Sequence, residues 1–143
     1  MSSLAPPCAP LSSALGPPMP ILDVELVCAS EGEFRAVSAA AVANVAGELL
    51  GCAPGRVWVR LRHLARECYA ENEVALSEAE LPVFVTVLHA QPPVGQALSS
   101  EAIALTQAVA RAVGRSVERV HVQYAPAAAG RQAFGGVLVK PST

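Results

Sequence analysis

Charge is scarce in this sequence and nearly cancels: Asp, Glu, Lys and Arg make up 15% of 143 residues, 12 acidic against 10 basic. A formal charge of -2 gives no basic field for a polyanion, so nucleic acid is not an expected partner. Paired metal-binding cysteines are missing too. Cys8, Cys28, Cys52 and Cys68 stand far apart, with no C-x-x-C and no histidine at zinc spacing. They read as free thiols of a reducing compartment, the cytoplasm. No apolar run reaches the roughly 18 residues of a membrane span. The start "MSSLAPPCAPLSSALGPP" lacks the positive charge and unbroken apolar stretch of a secretion signal. Nor is there a Gly-rich phosphate loop, a nucleophile elbow or a metal motif, so chemistry without a cofactor is the expectation.

What the chain has is apolar residues, 52% of the total, and a length that suits one domain with a real core. The apolar excess is assigned to surfaces between subunits. Residues 1–18, rich in Pro, Ser and Ala, have little to bury and read as a flexible extension. The domain is expected over 19–143. "PILDVELV" alternates Leu22, Val24 and Leu26 with Ile21, Asp23 and Glu25, the pattern of a half-buried strand. "EFRAVSAAAVANVAGELLG" then reads as one helix stopped by Gly51, and "RVWVRLRHL" as a second strand. The plan repeats. "LPVFVTVLHA" is a strand; "SSEAIALTQAVARAVG" is a helix capped by Ser99 or Ser100, with Glu101 in its first turn and Gly114 at its end; "ERVHVQYAP" closes as a strand. Laying Pro20 over Pro82, Gly51 over Gly114 and Val57 over Val120 points to an internal duplication, with units at about 20–64 and 82–124.

Each β-α-β unit predicts parallel strands joined by a right-handed crossover. Two units side by side give an α+β fold: a four-stranded sheet with two helices on one face. The other face is left bare, carrying Asp23, Glu25, Trp58, Arg60, Arg62, His121 and Gln123. Further copies of the chain, closed into a ring, would cover it. A ferredoxin-like domain has the same element order and is the structural rival.

Three stretches, "MPILDVELV", "CYAENE" and "GRQAFGGVLV", together with the two proline-led units, make the chain resemble the tautomerase superfamily over about residues 19–139. Within it, the likeness is to members whose single chain holds both units, of the macrophage migration inhibitory factor and 5-carboxymethyl-2-hydroxymuconate isomerase type. The resemblance implies a mixed sheet with the two proline-led strands antiparallel at its centre. It also implies a homotrimer with sites at subunit boundaries and an amino-terminal proline as the catalytic base, acting on a small substrate. A free secondary amine can take a proton, and apolar burial brings its pKa down towards the working pH. Inside a chain the proline nitrogen is an amide. Pro20 is therefore the expected base if the chain starts at Met19 or is cut before Pro20, and a strand-opening proline otherwise.

Around it, Arg60 and Arg62 could bind a carboxylate and draw charge from an enolate, or pair with Asp23 and Glu25. Trp58 and Phe134 could wall and dehydrate the amine, or simply pack. His121 and Gln123 fall where the migration inhibitory members carry tyrosine and asparagine. Neither type is kept, so the pair serves either the pocket or an interface. Tyr69 and Asn72 close over a ligand or cap a turn. Arg35 and Arg131 could reach an anion; His63 and His89 receive no role. Simple keto-enol transfer asks the least of these residues. Hydration, dehalogenation and decarboxylation would need Asp23 or Glu25 aimed at the proline, and a non-catalytic trimer that binds a ligand or protein is the alternative from another class.

Overall fold

The computed structural model describes residues 19–140; the extension expected over 1–18 lies outside the described residues. In chain order the elements are β1 (Ile21–Cys28), α1 (Glu31–Arg35), α2 (Ala39–Leu50), β2 (Trp58–Ala65), β3 (Val83–Leu88), α3 (Gly95–Val113), β4 (Val120–Tyr124), and the short strands β5 (Ala133–Phe134) and β6 (Val137–Leu138). The main sheet runs β2-β1-β3-β4. β1 is parallel to β2, β3 is parallel to β4, and the two proline-led strands β1 and β3 lie antiparallel at the centre. Leu22, Val24 and Leu26 of β1 with Val83, Val85 and Val87 of β3 turn one face into the core, where Val42 and Ala46 of α2 and Leu105, Val109 and Val113 of α3 cover them. Among the described residues no helix is long and apolar enough to cross a membrane.

Two helix expectations need correction. The single helix through residues 34–51 is two, because Ser38 is extended and its hydroxyl accepts from the Ala41 amide as the cap of α2. A serine side chain offers the backbone this alternative to continuing a helix. Glu33 and Ser30 hold the short α1 in the same way, through the Ala29 and Glu33 amides. The last long helix begins at Gly95, so Ser99 and Ser100 lie inside it and Glu101 sits in its second turn. Gln96, Ala97 and Leu98 are strong helix formers and carry the helix back to the residues after Pro92 and Pro93.

The pairing of the two units also shifts by one. Even-numbered residues of β1 and odd-numbered residues of β3 face the helices, so only an odd offset keeps a residue on its own face. Gly51 and Gly114, both left-handed at the ends of α2 and α3 (φ 67° and 72°), obey it at 63 positions. Pro20 and Pro82, 62 apart, do not. In face, Pro20 corresponds to Val83, and Pro82 to Met19.

Candidate active site

The open face carries, as expected, Asp23, Glu25, Trp58, Arg60, Arg62, His121 and Gln123, and adds Phe84 and Thr86 of β3. Those two sit in a run too apolar to show alternation. At the face's centre Arg60 Nε and Nη2 donate to the two oxygens of Asp23 at 2.6 and 2.8 Å. That bidentate bond, against partial burial, holds the Asp23 carboxyl below its usual range. Arg62 reaches Asp23 only at 4.0 Å and stays well exposed. Asp23, Glu25, Arg62, Phe84, Thr86 and Gln123 line a depression of about 250 Å³, where Gln123 donates to Thr86 at 3.2 Å.

One end of the sheet gathers Pro20, Trp58 and Phe134. Pro20 opens β1 with its ring fully buried, and its carbonyl accepts from the Trp58 amide at 3.1 Å. The indole of Trp58 donates to Gly55 and meets the edge of Phe134, with centroids 4.7 Å apart. Phe134 is placed there by the β5–β6 hairpin, whose turn residues Gly135 and Gly136 both take positive φ (58° and 88°), the geometry of a tight hairpin turn.

The opposite end holds Tyr69, Phe84 and His121, in ring contact at 5.9 Å and 5.6 Å through Phe84. Tyr69 donates to Glu71 at 2.7 Å and Arg119 donates to the same oxygen at 2.6 Å. Those bonds hold the Glu71 carboxyl low, while burial first and then the bond to Glu71 push the Tyr69 phenol up. Within one copy, then, Tyr69 and His121 lie away from Pro20, and Arg60, Arg62 and Gln123 lie between.

A third group escaped the sequence reading. Under the Pro20 end, on the helix side, His89 Nε2 and Tyr124 Oη each lie 2.8 Å from Glu101 Oε2. All three side chains are largely buried, and the rings of His89 and Tyr124 stack at 6.1 Å. Burial raises the Glu101 carboxyl, but its hydrogen bonds to His89 and Tyr124 outweigh that and leave it low. Burial and the same bond push the Tyr124 phenol up. An ionised carboxylate only accepts, so both partners donate. The signal available was Tyr124 on an inward position, since a buried tyrosine hydroxyl needs a partner.

No family model and no curated protein matches the chain. Solved structures do. A structure described as the F6 fused 4-OT wild type asymmetric trimer is 13% identical, covering 83% of this chain and 95% of its own, with a TM-score of 0.66. Pt0534 inactivated by 2-oxo-3-pentynoate matches at 13%, 83%, 95% and 0.65. Macrophage migration inhibitory factor from Trichinella spiralis matches at 9%, 82%, 98% and 0.64. Identities this low show the fold alone. The chain has the α+β fold of the tautomerase superfamily structures, nearly end to end on their side of the match.

Proposed function

We propose that this protein is a cofactor-free tautomerase, working as a homotrimer in the cytoplasm, whose general base is the amine of Pro20 once the residues before it are removed. One observation carries the reading: Pro20 opens β1 fully buried, at the sheet end where Trp58 and Phe134 cover the open face, so a secondary amine there would be shielded from water. That shielding disfavours the ammonium and brings the amine's pKa towards neutrality, where a base works best. The amine takes a proton from the carbon beside a ketone and returns it to the enolate at oxygen or at another carbon. Arg62, not committed to a close ion pair, is the better cation for a substrate carboxylate. Arg60 is neutralised by Asp23 and holds the face together.

In a ring of copies, Tyr69, His121 and Gln123 from one open face would meet the Pro20 corner of a neighbour. The fused 4-OT structures are described as trimers, asymmetric and symmetric, which supports such an assembly. A second reading is favoured by the Met19–Pro20 peptide itself: while that bond is intact the nitrogen has no basicity, and the trimer would bind a ligand or protein on its open face instead.

Intact mass of the protein from its own cells, together with activity of chains starting at Pro20 and at Met1, separates the two. The Pro20 chain is expected to convert phenylenolpyruvate or 2-hydroxymuconate and to gain the mass of one 2-oxo-3-pentynoate on Pro20, the Met1 chain to do neither. Equal rates in both chains would defeat the proline-base mechanism, and a native mass retaining residues 1–18 would favour the binding protein.

A further inference from the structure

The His89–Glu101–Tyr124 group lies outside the site described above, yet it lies beside its base. Carrying the β1–β3 register one residue past its last pair, Ile21 with Leu88, sets Pro20 against His89. Directly opposed residues of antiparallel strands bring their side chains within about 5 Å. His89 faces the helices, since its ring meets Glu101 of α3, and Pro20 shares the face of Leu22.

The fold does not require this polar group. At the face-preserving offset of 63, the other unit places Leu26, Leu61 and Ser38 where this one has His89, Tyr124 and Glu101. Leu26 is fully buried and Leu61 packs against the core, so two leucines close an equivalent sheet end. A carboxylate carried into the interior at one end only has a local purpose.

We propose that Glu101 is an electrostatic positioning residue for Pro20: oriented by His89 and Tyr124, it supplies a fixed negative charge one side chain behind the amine and offsets the apolar burial that disfavours the ammonium. This rests on the reading of Pro20 as a freed amine. Apolar burial alone, at a position as enclosed as Pro20, would leave an amine too weak to hold the substrate's proton; a carboxylate behind it restores that affinity. The remaining charges near this end come from other elements. Asp23 and Arg60 neutralise each other on the opposite face, Glu48 lies at the end of α2, Arg56 in the loop before β2, and Arg131 at the base of the hairpin.

The test is an NMR titration of 15N-labelled Pro20 in a chain that starts there. Glu101→Gln is expected to lower the amine's midpoint by about one to two pH units, the effect of a unit charge roughly 6–12 Å away at an effective dielectric of about 20. Glu101→Asp, which keeps the charge, is expected to return most of that shift. If Glu101→Gln does not fold, Tyr124→Phe strips one donor and leaves the charge, and should move the midpoint upward. An unmoved midpoint in whichever variant folds overturns the proposal. The amine titrates whether or not the protein turns over a substrate, so a shifted midpoint in an inactive chain would uphold this inference and fail the function above.

Discussion

At the Pro82 end of the sheet Leu26 and Leu61 pack into the core; at the Pro20 end the corresponding positions are His89 and Tyr124, joined by a buried carboxylate. The Pro82 end has its own cation. Arg115, nearly buried, donates to the carbonyls of Leu81 and Val27 at 2.8 and 2.9 Å, with Glu33 at 3.7 Å and the Cys28 sulfur at 3.3 Å. The guanidinium there is turned onto strand-end carbonyls of the chain itself, which closes that end. The two ends of the sheet thus differ: one is closed by apolar packing and an arginine bound to strand-end carbonyls, the other lined with a buried carboxylate. Pro82, whose nitrogen stays inside the chain under any start, sits at the closed end.

The largest expected effect separates the two prolines. In the chain that begins at Pro20, Pro20→Ala should cost about a hundredfold or more in kcat, the scale of losing a positioned general base. Pro82→Ala should leave kcat within about twofold, since an internal amide has no proton to move. Steady-state rates with phenylenolpyruvate make the comparison, and equal losses would mean that the asymmetry is not catalytic. Next is Arg115→Met, which fits the space but leaves two strand-end carbonyls without their charged donor. Hydrogen bonds to charged groups are worth about 1.5–3 kcal/mol each, so a loss of about 3 kcal/mol in urea unfolding is expected, with catalysis at the far end unchanged.

Much of this asymmetry was hidden in the sequence. The period-2 runs of β1, β2 and β4 disclosed the open face correctly, because one side of each strand is apolar and the other is not. β3, buried centrally, has Thr86 as its one polar residue, too little alternation to disclose Phe84 and Thr86 on the open face. Caps were harder to read: α1 stops at Ala36 and Ser38 starts α2, while Ser99 and Ser100 look like caps and are not. His89 and Glu101 are twelve residues apart on different elements, and no local spacing joins them. Their contact exists only because α3 begins at Gly95 and lays its second turn over the end of β3.

Smaller effects come from exchanging the two ends. His89→Leu alone leaves Glu101 buried with one donor in place of two, and should destabilise by about 1–3 kcal/mol, the cost of an under-satisfied buried group. Replacing all three, His89→Leu with Tyr124→Leu and Glu101→Ser, gives this unit the residues of the other. It should cost less than the single change, because removing a polar group together with its partners is close to neutral. Urea unfolding of both variants decides it; a triple variant less stable than the single one would mean that the network holds this end of the fold.

The smallest effect is the triple variant's pH dependence. Glu101 has a lowered folded pKa, so its contribution is complete above the unfolded value of about 4.3 and is lost as pH falls through the folded one. Tyr124 is shifted upward; its contribution is complete below about 10 and is lost as pH rises towards the folded value. The parent should therefore lose melting temperature at both extremes, and the triple variant less at each. Asp23 and Glu71, lowered by Arg60 and by Tyr69 with Arg119, keep part of the acid limb in both proteins. The difference between the two curves isolates the Pro20 end. Parallel curves would mean that Glu101 is no more ionised in the folded chain than in the unfolded one, and a neutral Glu101 could not act on the amine.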